Sequence, residues 1–315
     1  SAGPYFIQID VNGVEMGTTS ILSVPYALYA KKSGDSFSGD YNDLDNKPES
    51  ISDFSLNAGG QRITDVADPE DDQDAATKKM VDALETRINN MTDLLIDAGL
   101  YSVTDIDGNS YPVVRIGNQL WMAENLKVTH YRDGTPVPFL TNEEWVDDTE
   151  GGAGWPNNDI GNKDLYGALY NWYAARHSLG LCPEGWVLPT DDDWKEMEMY
   201  LGMSEDAANS FYLRGTDEGG KLKSTRTIPD DHPRWYQPNT GATNESGFSA
   251  LPAGVRSKYT GGYDYELGEH AFFWTSTDFD DTDAISRDLY PTNSQIARFP
   301  NFKQNGFSVR CLKAD

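Results

Sequence analysis

Apolar and polar residues alternate along Phe6-Ile7-Gln8-Ile9-Asp10-Val11, and Asn12-Gly13 follows at once. That pattern predicts a strand running into a two-residue hairpin turn, so residues 4–32 read as strand, turn, strand. A lone hairpin is only marginally stable. Residues 1–32 are therefore expected to be the remnant of a domain lying upstream, or part of an oligomer. Over residues 33–71 the pattern breaks into short apolar words (Phe37, Tyr41, Leu44, Ile51, Phe54, Leu56, Ile63, Val66) scattered among Gly, Asp, Ser and Asn. So little apolar surface does not make a private core, and the segment reads as a linker or as an extended shaft wound around partner chains.

The period then changes. Val81, Leu84, Ile88, Met91, Leu95 and Ala98 are spaced alternately three and four apart, a heptad seam over about three heptads. Asp71, Asp72 and Asp74 cluster at the start, where a helix dipole favours acids, and Gly99 supplies a stop. Residues 72–99 are thus predicted to be a coiled-coil helix. An amphipathic helix lying on a domain has the same period, but the preceding segment offers nothing to pack on. Three heptads by themselves leave the number of strands open.

Beyond residue 101 the chain predicts short strands over Val103–Ile106, Tyr111–Ile116 and Gln119–Met122, divided by Asp107-Gly108 and Gly117-Asn118. Helices are predicted over about Leu165–His177 and Asp191–Leu201, the second opened by a capping box of Thr190 and Asp193. From about 203 to 310 short strands return between long polar loops. Residues 101–315 are therefore expected to form an α+β domain with much irregular structure.

Composition sharpens this division. Of 315 residues, 51 are Asp or Glu and 25 Lys or Arg, a net charge of −26. That balance argues against nucleic acid, which requires clustered cations, and against anionic lipid surfaces. No apolar run approaches the length of a membrane span, so no membrane insertion is expected. The 8 Trp all lie at or beyond Trp121, so the aromatic core belongs to the C-terminal domain. Cys182 and Cys311 are the 2 cysteines; they allow one bridge, which would require an oxidising compartment.

Several stretches resemble known proteins. Gly117-Asn118-Gln119-Leu120-Trp121-Met122-Ala123-Glu124-Asn125-Leu126, Leu165-Tyr166-Gly167-Ala168-Leu169-Tyr170-Asn171-Trp172 and Cys182-Pro183-Glu184-Gly185-Trp186 through Thr190 come first. Asn244-Glu245-Ser246-Gly247-Phe248-Ser249 through Gly254, Phe273-Trp274-Thr275-Ser276-Thr277 and Phe307-Ser308-Val309-Arg310-Cys311 follow in order. Together they resemble the Fibrobacter succinogenes major paralogous domain over nearly all of 101–315. That resemblance implies a C-type-lectin-like fold, related to formylglycine-generating enzymes, with Cys182 paired to Cys311. The segment Gly3-Pro4-Tyr5-Phe6 through Leu22-Ser23-Val24-Pro25-Tyr26-Ala27-Leu28 resembles one common in secreted and fibre proteins of Bacteroidetes and their phages. Gly39-Asp40-Tyr41-Asn42-Asp43-Leu44 and Ile63-Thr64-Asp65-Val66-Ala67-Asp68-Pro69 resemble tail-fibre shaft repeats, which implies a homotrimer.

Catalytic patterns are missing. The 4 histidines lie far apart in sequence, with no metalloprotease or Cys/His spacing. Gly215 through Lys221 approaches a phosphate loop, but Leu222 stands where Ser or Thr should bind magnesium. Both cysteines occupy the positions the resemblance implies for the structural bridge, so the copper chemistry of the formylglycine-generating relatives is not expected, and the chain reads as no enzyme. Calcium is the one candidate cofactor. Asp105-Ile106-Asp107-Gly108-Asn109 reads as a β-turn, because Ile116 replaces the last acidic ligand of an EF-hand. Gln237-Pro238-Asn239 resembles a lectin tripeptide without further support. Asp278, Asp280, Asp281 and Asp283 form an acidic loop, either a calcium site or solvated surface.

Binding is the remaining chemistry. Aromatics stand in the polar loops: Trp155, Trp235, Tyr236, Tyr259, Tyr263, Tyr265, Phe279 and Tyr290. Tyr and Trp supply contact area at low entropy cost, flanked here by adaptable Gly, Ser, Asn and Asp. Trp235, Tyr236, Tyr259, Tyr263, Tyr265 and Tyr290 are the candidate ligand contacts; Trp121, Trp172, Trp186, Trp194 and Trp274 are expected in the core. The expected protein is an extracellular receptor-binding or adhesin tip on a trimeric fibre, joined to an upstream fibre or carrier protein and recognising a cell-surface glycan or protein. The carrier would be a phage tail, a contractile injection system or a bacterial surface. The alternatives are a structural trimerisation cap, and an enzyme-derived domain acting on a surface polymer.

Overall fold

The computed structural model describes residues 5–11, 14–21, 78–265 and 267–314, in two units, 1–90 and 91–315. The expected shaft at 33–71 and the first part of the helix, 72–77, lie outside the described residues. In the first unit β1 (Tyr5–Val11) pairs antiparallel with β2 (Val14–Ile21), Val11 opposite Val14, as the hairpin pattern predicts.

The segment predicted as a coiled coil is helical: α1 (Lys78–Asp97) carries the heptad positions from Val81 to Leu95. Its seam is bare in the single chain, with Leu84 53%, Ile88 62% and Met91 65% exposed. The predicted stop holds, because Gly99 takes φ +67° and its N–H donates to the Ile96 carbonyl. Ile96, off the seam, is buried in the core of the second unit, and Asp93 pairs with Arg115.

The second unit is α+β. Antiparallel β3 (Ser102–Thr104), β4 (Ser110–Ile116) and β5 (Gln119–Met122) come first. Short elements follow: α2 (Asn142–Trp145), β6 (Ala153–Gly154), α3 (Lys163–Tyr166), β7 (Leu169–Tyr170), α4 (Trp172–Ala175) and β8 (Trp186–Val187). Then come α5 (Asp191–Tyr200), α6 (Glu205–Asn209), β9 (Tyr212–Arg214) and α7 (Glu218–Leu222). The C-terminal part holds β10 (Val255–Arg256), β11 (Tyr263–Tyr265), β12 (Ala271–Asp278), β13 (Asp283–Leu289), β14 (Ile296–Phe302) and β15 (Leu312–Lys313). One sheet has the order β3-β4-β5-β15-β8 and another β12-β13-β14-β9, and every named strand pair among the described residues is antiparallel.

The single helix predicted over Leu165–His177 is three elements instead. At Gly167 the backbone takes φ +76°, and a Cβ there would lie 2.7 Å from the Asn125 Cβ. Past that point the backbone N–H groups are claimed by distant segments: Ala168 donates to the Leu126 carbonyl and Tyr170 to that of Phe307. A new helix starts only at Asn171, whose side chain accepts from the Ala174 N–H at 2.9 Å. By contrast, α5 forms where predicted, and the Thr190–Asp193 capping box is reciprocal.

The five framework tryptophans are all buried. Trp172, Trp186 and Trp274 pack in one core with Phe307 and the cysteines; Trp121 and Trp194 pack in a second with Trp235, Phe248 and Phe273. Cys182 and Cys311 form a disulfide spanning 129 positions. Beside it Leu312 of β15 pairs with both Trp121 and Val187, so the bridge closes the five-stranded sheet.

Charge is also buried, and each charge is partnered. Glu198 of α5 accepts from Arg214 and Arg287, and Asp191 from Arg287 and Arg298. Three further cations are held largely by carbonyls. Lys223 donates to those of Thr240, Tyr290 and Asn293. Arg256 donates to those of Gly261 and Leu140, and Arg310 to those of Met122 and Ser249. A buried cation is tolerable only with such partners.

Candidate functional site

In β12, β13 and β14 alternate residues share a face. Phe272 stands opposite Asp288, Ser286 opposite Phe299 and Ala284 opposite Asn301. Phe272, Asp288, Phe299 and Asn301 therefore lie on one side of the sheet. Phe273 and Arg287, another opposed pair, lie on the other side, where Arg287 meets α5.

Over the first side opens a cleft of about 390 Å³, within the size range of small-ligand sites. Its floor is that set of four residues. One wall is built from the β10–β11 region, with Ser257, Tyr259, Asp264 and Tyr265; the other brings Tyr290, Phe302 and Asn305, and His270 sits among them. The rings form a connected set. Tyr265 lies 4.3 Å from His270, which lies 4.8 Å from Tyr290 in an edge contact. At the rim Tyr259, 68% exposed, meets Phe302 at 5.9 Å.

Asp288 is the buried acid of this site. Burial pushes its carboxyl up to about 7, against the pull of hydrogen bonds from Ser286, Asn301 and Tyr290 and the charge of Arg287. The Ser286 hydroxyl donates to Asp288 Oδ1 at 2.7 Å and receives the Asn301 amide at 2.8 Å. Burial together with the Asp288 charge raises the Tyr290 hydroxyl above its usual range. Burial holds His270 below its ordinary value, against the Glu269 charge, and its Nδ1 is buried without a hydrogen-bond partner. Apolar ring faces beside a carboxyl, hydroxyls and amides suit a compact polar ligand that has apolar faces of its own.

Of the six aromatics expected as ligand contacts, Tyr259, Tyr265 and Tyr290 come together here. Trp235 does not: it lies fully buried in the second core, its Nε1 donating to the Ala250 carbonyl at 3.0 Å. The polar residues around it in sequence mask an inward-facing ring. Tyr263 anchors its own loop, its hydroxyl donating to the Trp155 carbonyl and its ring facing Arg256. Tyr236 packs beside Gly268, where a Cβ would come within 2.6 Å of the ring.

In the acidic loop a lysine lies among the acids expected to hold calcium. The cation there is the protein's own: Lys303 Nζ pairs with Asp278 at 2.7 Å and donates to the Asp280 and Asp281 carbonyls. Asp280 Oδ1 accepts the N–H groups of Thr282 and Asp283, and Asp283 Oδ2 accepts the Thr282 hydroxyl. Among the described residues no three His, Cys, Asp or Glu side chains are grouped to hold a metal. The Asp105 turn is likewise self-satisfied, taking the N–H groups of Asp107 and Asn109 and the Tyr111 hydroxyl.

Asp288 and His270 were not among the expected contacts. The available signal for Asp288 is its i, i+2 spacing from Ser286 in a strand-forming run. His270 carries no such mark, since only the fold sets it between two tyrosines.

Fold and cleft together define a disulfide-closed α+β domain with an aromatic, acid-floored cleft. The family model of the Fibrobacter succinogenes major domain matches residues 114–313, and the chain belongs to that family. No curated protein and no solved structure matches the chain.

Proposed function

We propose that this chain is the distal part of a trimeric extracellular fibre, and that its C-type-lectin-like domain binds a cell-surface glycan or protein through the Tyr259–Tyr265–Tyr290 cleft. The observation that carries the reading is the convergence of those three tyrosines, two from the β10–β11 region and one from the segment after β13, over one carboxyl-bearing sheet face. Aromatics used only to anchor their own loops, as Tyr263 is, have no reason to converge. The exposed seam Leu84–Ile88–Met91 on α1 suits burial against two further copies of the chain. Trimerisation makes weak sites useful, because linked sites raise the effective concentration. The carrier is a phage tail, a contractile injection system or a bacterial surface.

The test is saturable binding of the whole chain to glycan arrays and to candidate target cells, compared with Tyr265→Ala. Loss of binding in a folded variant supports the reading. Binding that survives both Tyr265→Ala and Tyr259→Ala places the contact face elsewhere.

A further inference from the structure

We propose that the cleft takes a sugar bearing a protonated amine, its ring seated on the aromatic wall and its ammonium directed to the acid side of the site. This rests on the binding function proposed above and names the ligand class.

The lining is one-sided in charge. Asp264 and Asp288 contribute to it, and among the described residues no Lys or Arg does. The whole chain, at −26, adds a field that favours cations in its clefts. Ring faces attract cations through the aromatic quadrupole, the more so where water is excluded. The rim shows this attraction within the chain: the Lys258 Nζ sits 3.2 Å from the Phe302 ring centre and 4.8 Å from that of Tyr259. An ammonium is thus already seated on two rings at the mouth of the cleft.

The polar atoms argue for a sugar rather than a bare quaternary ammonium. Ser257, Tyr259, Asn301 and Asn305 line the cleft with hydroxyls and amides. Side chains of that kind need hydroxyl or N–H partners from a ligand that displaces water. A neutral sugar meets the rings and the hydroxyl-binding groups but brings no counter-charge to Asp264 at the exposed edge of the cleft. An N-acetylated sugar does the same. A free amine answers both.

The experiment titrates the full chain with glucosamine, N-acetylglucosamine, glucose and Nα-acetyl-lysine amide, by calorimetry and by histidine ring NMR shifts. Cell binding is run in parallel. Glucosamine is expected to bind roughly tenfold tighter than glucose or N-acetylglucosamine, to shift the His270 signals, and to lose that preference in Asp288→Asn. Asp264→Asn, at an exposed position, is expected to weaken the preference without touching the fold, and keeps the test valid should Asp288→Asn misfold. Equal or tighter binding of glucose or N-acetylglucosamine overturns the amine assignment. Equal binding of the lysine amide overturns the sugar assignment in favour of a protein receptor. If no saccharide binds while cells bind in a Tyr265-dependent way, the ligand class is wrong and the proposed function stands. If cell binding survives both Tyr265→Ala and Tyr259→Ala, both fall.

Discussion

Glu198 of α5 and Arg287 of β13 meet at 2.6 Å with neither side chain exposed to solvent. The next residue, Asp288, faces the opposite side of the same strand and floors the cleft. One strand thus carries the ionic lock of the core on one face and the acid of the site on the other. Removing one member of a buried pair leaves an uncompensated charge, at about 3–5 kcal/mol. Glu198→Gln strands part of the charge on Arg214 and Arg287, and is expected to lower the melting temperature by roughly 6–20 °C. Differential scanning calorimetry checks this, and an unchanged transition would show that Arg214 and Arg287 do not depend on the Glu198 charge.

The Cys182–Cys311 bridge closes a loop of 129 positions, and in the chain-entropy model such a loop contributes on the order of 4–5 kcal/mol. The double variant Cys182→Ala, Cys311→Ala is expected to unfold at a clearly lower urea midpoint with a larger m-value, because the unbridged unfolded chain is less compact. Because Leu312 ties β15 to both β5 and β8, the loss should appear in the β5 and β8 amides, read by hydrogen exchange, before it appears in β12–β14.

The pH dependence has two opposed parts. Asp288 sits at about 7 in the folded chain against an ordinary 3.8. Between those values the folded state holds a proton that the unfolded state has released, so this group's contribution to stability falls as pH rises through the window. Burial alone would raise Asp191 too, but Arg298, Arg287 and Lys195 hold it well below the carboxylate range. Its contribution is therefore present above about pH 4 and is lost on acidification below that. Relative to the parent chain, Asp288→Asn should gain stability as pH rises from 5 to 7.5. Melting curves across that range decide, and a constant difference would mean that Asp288 is ionised throughout.

The seam of α1 gives the oligomer test. Leu84 and Ile88 are more than half exposed in the single chain, and charge at a and d positions of a coiled coil abolishes its packing. The parent chain is expected to run at the mass of three chains in light scattering. Leu84→Asp with Ile88→Asp is expected at the mass of one chain, with near-ultraviolet circular dichroism unchanged, because neither residue belongs to the tryptophan cores.

Lys303 also bears on the acidic loop, since its ammonium already gathers Asp278 and two loop carbonyls. Adding calcium or EDTA to the parent chain is expected to leave the melting temperature unchanged. In Lys303→Met the loop acids lose their cation, and a calcium-dependent rise would appear only there.

Much was settled by near neighbours in the chain. The β1–β2 hairpin follows from alternation up to Asn12-Gly13, and Gln119–Met122 from a short run between turns. The helix at Asp191 follows from the Thr190–Asp193 box, and the end of α1 from Gly99. The inward tryptophans lay in the motifs that carry the family resemblance. In each case the deciding partner sits within a few residues. Tertiary structure decided what depends on distant partners. Leu165–His177 is not one helix because carbonyls of Leu126 and Phe307 claim its backbone. Trp235 turned inward and Tyr259 outward from similar polar loops, since what differs is the segment each one faces. Asp288 became the floor of a cleft and Asp278 the partner of a lysine because the folded sheet fixes which side chain each acid meets. Burial and pairing of a side chain are set by segments up to some two hundred residues away, which no local pattern encodes.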